Sequence, residues 1–109
     1  MIVKDRHVEA ALSYFNAQPH PAATAKYNSL VTETAAKAAY AKAFLEASGT
    51  VRERECIAEL DPDYQAAKAA EADAAFEEAD QKAKTKRAEK IIDVWQSEGA
   101  NARAAERVR

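Results

Sequence analysis

At 109 residues the chain has room for one domain. Alanine supplies 28 of its residues, while Leu, Ile, Val and Phe together fill only 17 positions, so a thick globular core is excluded. The net charge of −2 is too small to hold the chain open by self-repulsion, two glycines are too few for a phosphate-cradling loop, and a single cysteine excludes an internal disulfide.

The opening MIVKDRHVEAAL lacks the apolar run of a signal peptide, and no stretch approaches the ~20 apolar residues of a membrane span. With its lone thiol, the chain is expected to be cytoplasmic and to use no membrane. Asp5 suits the cap of a first helix over residues 5–17, in which Val8, Leu12 and Phe15 form one narrow apolar face. Pro19-His20-Pro21 ends it, because each proline pushes the preceding residue out of helical geometry.

A second helix is expected over residues 22–48, with Tyr27, Leu30, Val31, Thr34, Ala38, Ala41 and Leu45 as its inward stripe and Phe44 at the border. Gly49 fits the left-handed residue that follows a helix, and Thr50-Val51-Arg52-Glu53 spells a capping box. A short third helix over 51–60 follows, with Val51, Ile57 and Leu60 facing inward. Asp61-Pro62 then combines a good N-cap with the residue best suited to the first helical position. From there a fourth helix is expected over 62–98, about 55 Å long, ended by Gly99. Its expected seam is Tyr64, Ala69, Ala72, Phe76, Ala79, Ala83, Ala88, Ile91, Ile92 and Trp95, at coiled-coil-like spacing.

These elements predict an all-α fold. The second and fourth helices form an antiparallel coiled-coil-like hairpin, and the third is a short connector. The first helix packs over Ile91, Ile92 and Trp95, which outrun the second and should be buried by it. Residues 1–99 are read as a single helical domain. Residues 100–109 form a basic tail, for which frayed helix and disorder both stay open.

Charge is unevenly placed: residues 1–52 carry a net +2, residues 53–80 a net −8 and residues 81–109 a net +4. Lys82, Lys86 and Lys90 recur at four-residue steps with Arg87 beside them, and Arg103, Arg107 and Arg109 extend the basic third. A stripe of this kind neutralises phosphates, so these residues are candidates for DNA contact, with Lys82, Lys86, Arg87, Lys90 and Arg103 foremost. No aromatic side chain for base stacking shares that face, and the plain alternative is a solvated helix face with cations toward the C-terminal end of the dipole.

Asp73, Glu77 and Asp80 form the mirror-image acidic row, flanked by Glu71 and Glu78, a surface able to occupy a basic groove on another protein. The bland reading is acids favoured in the first half of a long helix. His7 and His20 lack any metal-ligand spacing, Glu59, Asp61 and Asp63 lack the bend glycine of a calcium loop, and Cys56 reads as a buried inert thiol. No catalytic residue, metal site or cofactor is expected, and enzyme is the poorest class.

Phe44-Leu45-Glu46, Gly49-Thr50-Val51-Arg52-Glu53-Arg54 and the closing Ile92, Val94, Trp95, Ser97, Asn101 and Arg103 give the stretch from Phe44 to Arg103 a recognisable order. It runs from an apolar-acidic helix end through a Gly-Thr-Val break and a long Ala/Glu/Lys helix to an Ile-x-Val-Trp-x-Ser segment. This order resembles a group of small helical proteins of tailed phages and prophages, over a little more than half the chain. The resemblance implies a gene among early, DNA-metabolism genes and a bacterial host cytoplasm, with no activity attached. The expectation is a non-catalytic helical interaction protein, an accessory factor beside DNA replication or recombination proteins, with another protein and DNA as partners. One alternative is a small inhibitor that presents the acidic face to a host nucleic-acid-binding or defence protein. The other is a structural coiled-coil subunit of a homo-oligomer.

Overall fold

The computed structural model describes residues 4–108, and within them the fold is all-α: α1 (Asp5–Asn16), α2 (Pro21–Glu46), α3 (Val51–Leu60) and α4 (Pro62–Val108), with no strand among the described residues. The antiparallel helical hairpin, the N-terminal helix and the short connecting helix are all present. The chain divides into two compact units: Thr24–Ala79, and the described residues up to Ala23 together with those from Asp80 onward.

In the Thr24–Ala79 unit, α2 packs on the first half of α4. Lys26 meets Glu78 at 3.9 Å, and the Tyr40 and Tyr64 rings meet edge-on with centroids 5.2 Å apart. The register is continuous, since residues fourteen apart on α2 meet residues fourteen apart on α4. The inward face of α2 is Ala25, Ser29, Thr32, Ala36, Ala39 and Ala43; that of α4 is Tyr64, Ala67, Glu71, Ala74 and Glu78. Both alternate three- and four-residue steps, the spacing that keeps a seam facing its partner.

This corrects the expected seam. Tyr27, Leu30, Val31, Thr34, Ala38, Ala41 and Leu45 are exposed, and so are Ala69, Ala72, Phe76 and Ala79. The physical reason is close approach. Ala36 is only 2% exposed, and alanine on the inner face lets the backbones near each other where Tyr, Leu or Phe would hold them apart. The inner seam also keeps its polar groups engaged, with Glu71 3.4 Å from Lys68 and Glu78 against Lys26.

The connector follows its sequence signals closely at the caps and departs from them in between. The Thr50 hydroxyl accepts from the Glu53 N–H at 3.2 Å, the Glu53 carboxylate accepts from the Thr50 N–H at 3.3 Å, and the Asp61 carboxylate accepts from the Tyr64 N–H at 3.0 Å. Gly49 has φ +116°, and a Cβ there would also run into the Glu53 carboxylate that completes the box. Yet Val51, Ile57 and Leu60 face solvent rather than the interior. The inward residue of α3 is Ala58, fully buried, with half-buried Arg54 one turn before it. Cys56, two positions from Ala58 and so on the far side of the helix, is exposed and not buried.

In the other unit, α1 lies on the stretch of α4 around Gln81–Ile91. Val8 and Ala11 of α1 are buried, as are Gln81 and Ala88 of α4. The Tyr14 hydroxyl reaches the Gln81 carbonyl oxygen at 3.1 Å, the Gln81 side-chain oxygen at 3.0 Å and the Thr85 hydroxyl at 3.0 Å. This bonding turns the buried face from Leu12 toward Ala11 and Tyr14, and it holds α1 too early along α4 to cover Trp95. Trp95 is 41% exposed, against the expectation of burial, and Leu12 is exposed with it. Asp5 is the first residue of α1, preceded by Lys4, and makes no side-chain cap bond. α4 does not end at Gly99. It runs to Val108, because Gly99 has no positive φ and the following Ala-Asn-Ala-Arg-Ala-Ala-Glu-Arg is rich in helix formers.

Candidate functional site

Four surfaces are candidates for function: the basic third of α4, the acidic row, two grooves between helices, and the exposed apolar faces of α2 and α4.

Lys82, Lys86, Arg87, Lys90 and Arg103 are all exposed on α4. Their i, i+4 spacing keeps Lys82, Lys86 and Lys90 on adjoining turns, while Arg87 sits round the helix beside Lys84 at the edge of a groove. Lys84 pairs with Asp80 at 3.0 Å. Arg107 is exposed as well, and Arg109 lies outside the described residues.

The five acids do not share one face. Asp73 and Glu77 are exposed, and Asp80 is half-buried and paired with Lys84. Glu71 and Glu78 point instead into the inner seam toward α2, where the Glu78 side chain keeps only 17% of its exposure. A helix turns 100° per residue, so Glu71 and Glu78 lie roughly opposite the Asp73–Glu77 face.

One groove, of about 300 Å³, is lined by His7, Ala10, Ala11, Tyr14, Ala88 and Ile91, with Lys84 and Arg87 at its rim. A second, of about 400 Å³, lies between α2 and α4, with Tyr40 and Tyr64 at one end and the Glu33/Lys37 and Lys68/Glu71 pairs along its sides. Partial burial first, then the Glu55 and Glu59 carboxylates, raise the Tyr40 hydroxyl above the ordinary phenol pKa. Its charges are matched within each helix, so it offers no unbalanced group to a substrate.

Two of the chemistry-bearing side chains, His20 and Arg54, have structural partners. His20 is half-buried, accepts the Ala22 N–H through Nδ1 at 3.1 Å and packs edge-on against the Tyr14 ring. Arg54 places its guanidinium 5.7 Å from the centre of the Phe44 ring. Among the described residues no group of three or more His, Cys, Asp or Glu is placed to hold a metal ion, and no helix is long and apolar enough to cross a membrane.

The apolar faces are the feature that the sequence placed wrongly. On α2, Tyr27, Val31, Thr34, Ala38, Ala41 and Leu45 form a second heptad-spaced stripe, with Leu30 beside it, on the side away from α4. Tyr27 is 66% exposed and Leu45 is 76% exposed. On α4, Ala69, Ala72, Phe76 and Ala79 repeat the pattern, with Phe76 also 76% exposed. Each helix therefore carries one used and one unused seam. The signal was in the sequence as two interleaved repeats per helix, and bulk alone does not say which one is internal. Comparison with protein-family models, with curated proteins and with solved structures finds no match for this chain.

Proposed function

We propose that this chain is a non-catalytic helical interaction protein, an accessory factor of a phage or prophage that acts beside DNA replication or recombination proteins. The observation that carries the interaction reading is the inversion of apolar bulk in the hairpin. Alanines are buried between the helices, while Tyr27, Leu30, Val31, Leu45 and Phe76 are held outward on two regular stripes. Fully burying an exposed Leu, Val or Phe gains about 1.5–3 kcal/mol, and contact with another protein surface recovers the fraction of that which these partly exposed side chains leave in water. The phage setting and the neighbourhood of DNA-handling proteins rest on the sequence resemblance between Phe44 and Arg103. Capture from a bacterial lysate tests the reading. Immobilised wild-type chain should enrich a replication or recombination protein, and Leu30→Glu with Val31→Glu should release it. Enrichment that the double substitution leaves unchanged overturns the role given to the apolar faces.

Direct contact with DNA is a second reading, favoured by the exposure of Lys82, Lys86, Arg87, Lys90 and Arg103. The inhibitor reading has less support, because Glu71 and Glu78 are turned away from the other acids.

A further inference from the structure

The groove between α1 and α4 lies wholly within one of the two units and joins an apolar floor to a cationic rim. It runs from His7 to Tyr14 on α1 and from Lys84 to Ile91 on α4, about two turns or roughly 10 Å along each helix. Alanine at positions 10, 11 and 88 leaves the space that larger side chains would fill, about 300 Å³ open along one side. That is the lower end of the range in which small-molecule sites fall.

The floor offers a ligand little hydrogen bonding. Ala10, Ala11, Ala88 and Ile91 are apolar, and the Tyr14 hydroxyl is already engaged by Gln81 and Thr85. A sugar or a nucleobase laid there would lose its bonds to water and find none in return. The rim is different. Lys84 is held by Asp80 at 3.0 Å, but Arg87 has no ion-pair partner among the described residues, and no acidic side chain lines the groove. His7 stands on the α1 wall and carries at least one ring N–H in either charge state. Arg87 is also turned about 100° round α4 from Lys86, so it faces the groove and not the line of Lys82, Lys86 and Lys90.

We infer that this groove binds a small hydrophobic carboxylate, its apolar body on the alanine floor and its head against Arg87 and His7. One unengaged guanidinium balances one negative charge, and its planar fork matches a carboxylate better than a point cation would. The length of the floor sets the body at about 10 Å, the size of a medium-chain acyl or arylalkyl group. The open side and the small number of ligand atoms keep affinity low, on the order of 1 mM.

Titration of the isotope-labelled full chain with octanoate, followed by amide chemical shifts, tests this. Octanoate is expected to shift the Ala10, Ala11, Ala88 and Ile91 amides in a saturable way, while acetate leaves them in place. Octylamine, with the same body and the opposite charge, is expected to bind less tightly than octanoate. Arg87→Gln should weaken octanoate about three- to ten-fold and leave 1-octanol as it was. Ala10→Leu, at an exposed position, fills the floor and should weaken octanoate and octanol alike, with unchanged circular dichroism as the check on folding. Equal binding of octanoate and octylamine overturns the inference, and so does an Arg87→Gln variant that binds octanoate as wild type does. Shifts confined to the outer apolar stripes, with the groove amides still, overturn it as well. A tighter response to octyl phosphate than to octanoate overturns the choice of a carboxylate head.

Discussion

Glu53 serves the turn between α2 and α3 twice, as the acceptor for the Thr50 N–H and as the group whose carboxylate fills the space beside Gly49. Thr50→Ala removes one cap bond and is expected to cost about 1 kcal/mol. Gly49→Ala combines a positive φ with displacement of the Glu53 carboxylate and is expected to cost more than that, above the ~1 kcal/mol of an ordinary backbone mismatch. In the Gly49→Ala background Thr50→Ala should do less than in wild type, because the box is already opened. Full additivity in urea melts would show that the two devices are independent. Tyr40 supplies a test of a different kind. Its raised hydroxyl pKa means that the unfolded chain releases this proton first as pH rises. The Tyr40 contribution to stability is thus whole below about pH 10, the ordinary phenol value, and is lost as pH climbs toward the folded value. Tyr40→Phe should remove that part of the alkaline fall, read as the difference between the two proteins in urea midpoints. Parallel alkaline falls would mean that Tyr40 titrates alike in both states.

At the scale of elements, the bond cluster of Tyr14 with Gln81 and Thr85 fixes α1 on α4 more specifically than its small apolar face does. Tyr14→Phe keeps the ring and its contact with His20 but removes the hydroxyl, and is expected to cost about 0.5–1.5 kcal/mol. α4 supplies a converse case. Gly99 lies within a continuous helix, and a Cβ there would meet only the Arg103 guanidinium at an ordinary 3.5 Å. Gly99→Ala is therefore expected to stabilise, by about 0.4–1 kcal/mol, and to raise helicity; loss of stability would mean the helix ends there after all. These two elements also show what the sequence could and could not reveal. Helix starts were legible wherever a local device marks them, as at Thr50, Asp61 and Pro62, because capping involves neighbours within four residues. Gly99 misled because a glycine ends a helix only where the chain beyond it fails to continue one. The seams misled for a deeper reason. With alanine at 28 positions, every face of α2 and α4 contains some, so the choice of Ala25, Ala36 and Ala43 over Tyr27, Val31 and Leu45 depends on how near two backbones come, which no local pattern states. Of the candidate site residues, the basic side chains are exposed as their spacing implied, whereas the acids separate because Glu71 and Glu78 belong to that same hidden seam.

Across the whole molecule, apolar bulk and charge are distributed to different parts, and this separates the two binding readings experimentally. Thr24–Ala79 holds both outer stripes and a net charge of −5, while residues 1–23 with 80–109 carry a net +3. A polyanion is repelled by the first set of charges and attracted by the second, so any DNA affinity must come from the cations of α4 beyond Asp80. Replacing Lys82, Lys86 and Lys90 with Gln is then expected to weaken DNA binding by a similar factor whatever the sequence. It should also flatten the slope of log K against log salt by roughly 0.7–0.9 for each phosphate no longer neutralised. Leu30→Glu with Val31→Glu should leave that slope as it was, because neither substitution removes a cation. Fluorescence anisotropy with a labelled duplex at several salt concentrations measures both slopes on one scale. A triple variant that binds duplex with the wild-type slope removes the basic third from the account, and the apolar stripes are then the binding surface that the structure still supports.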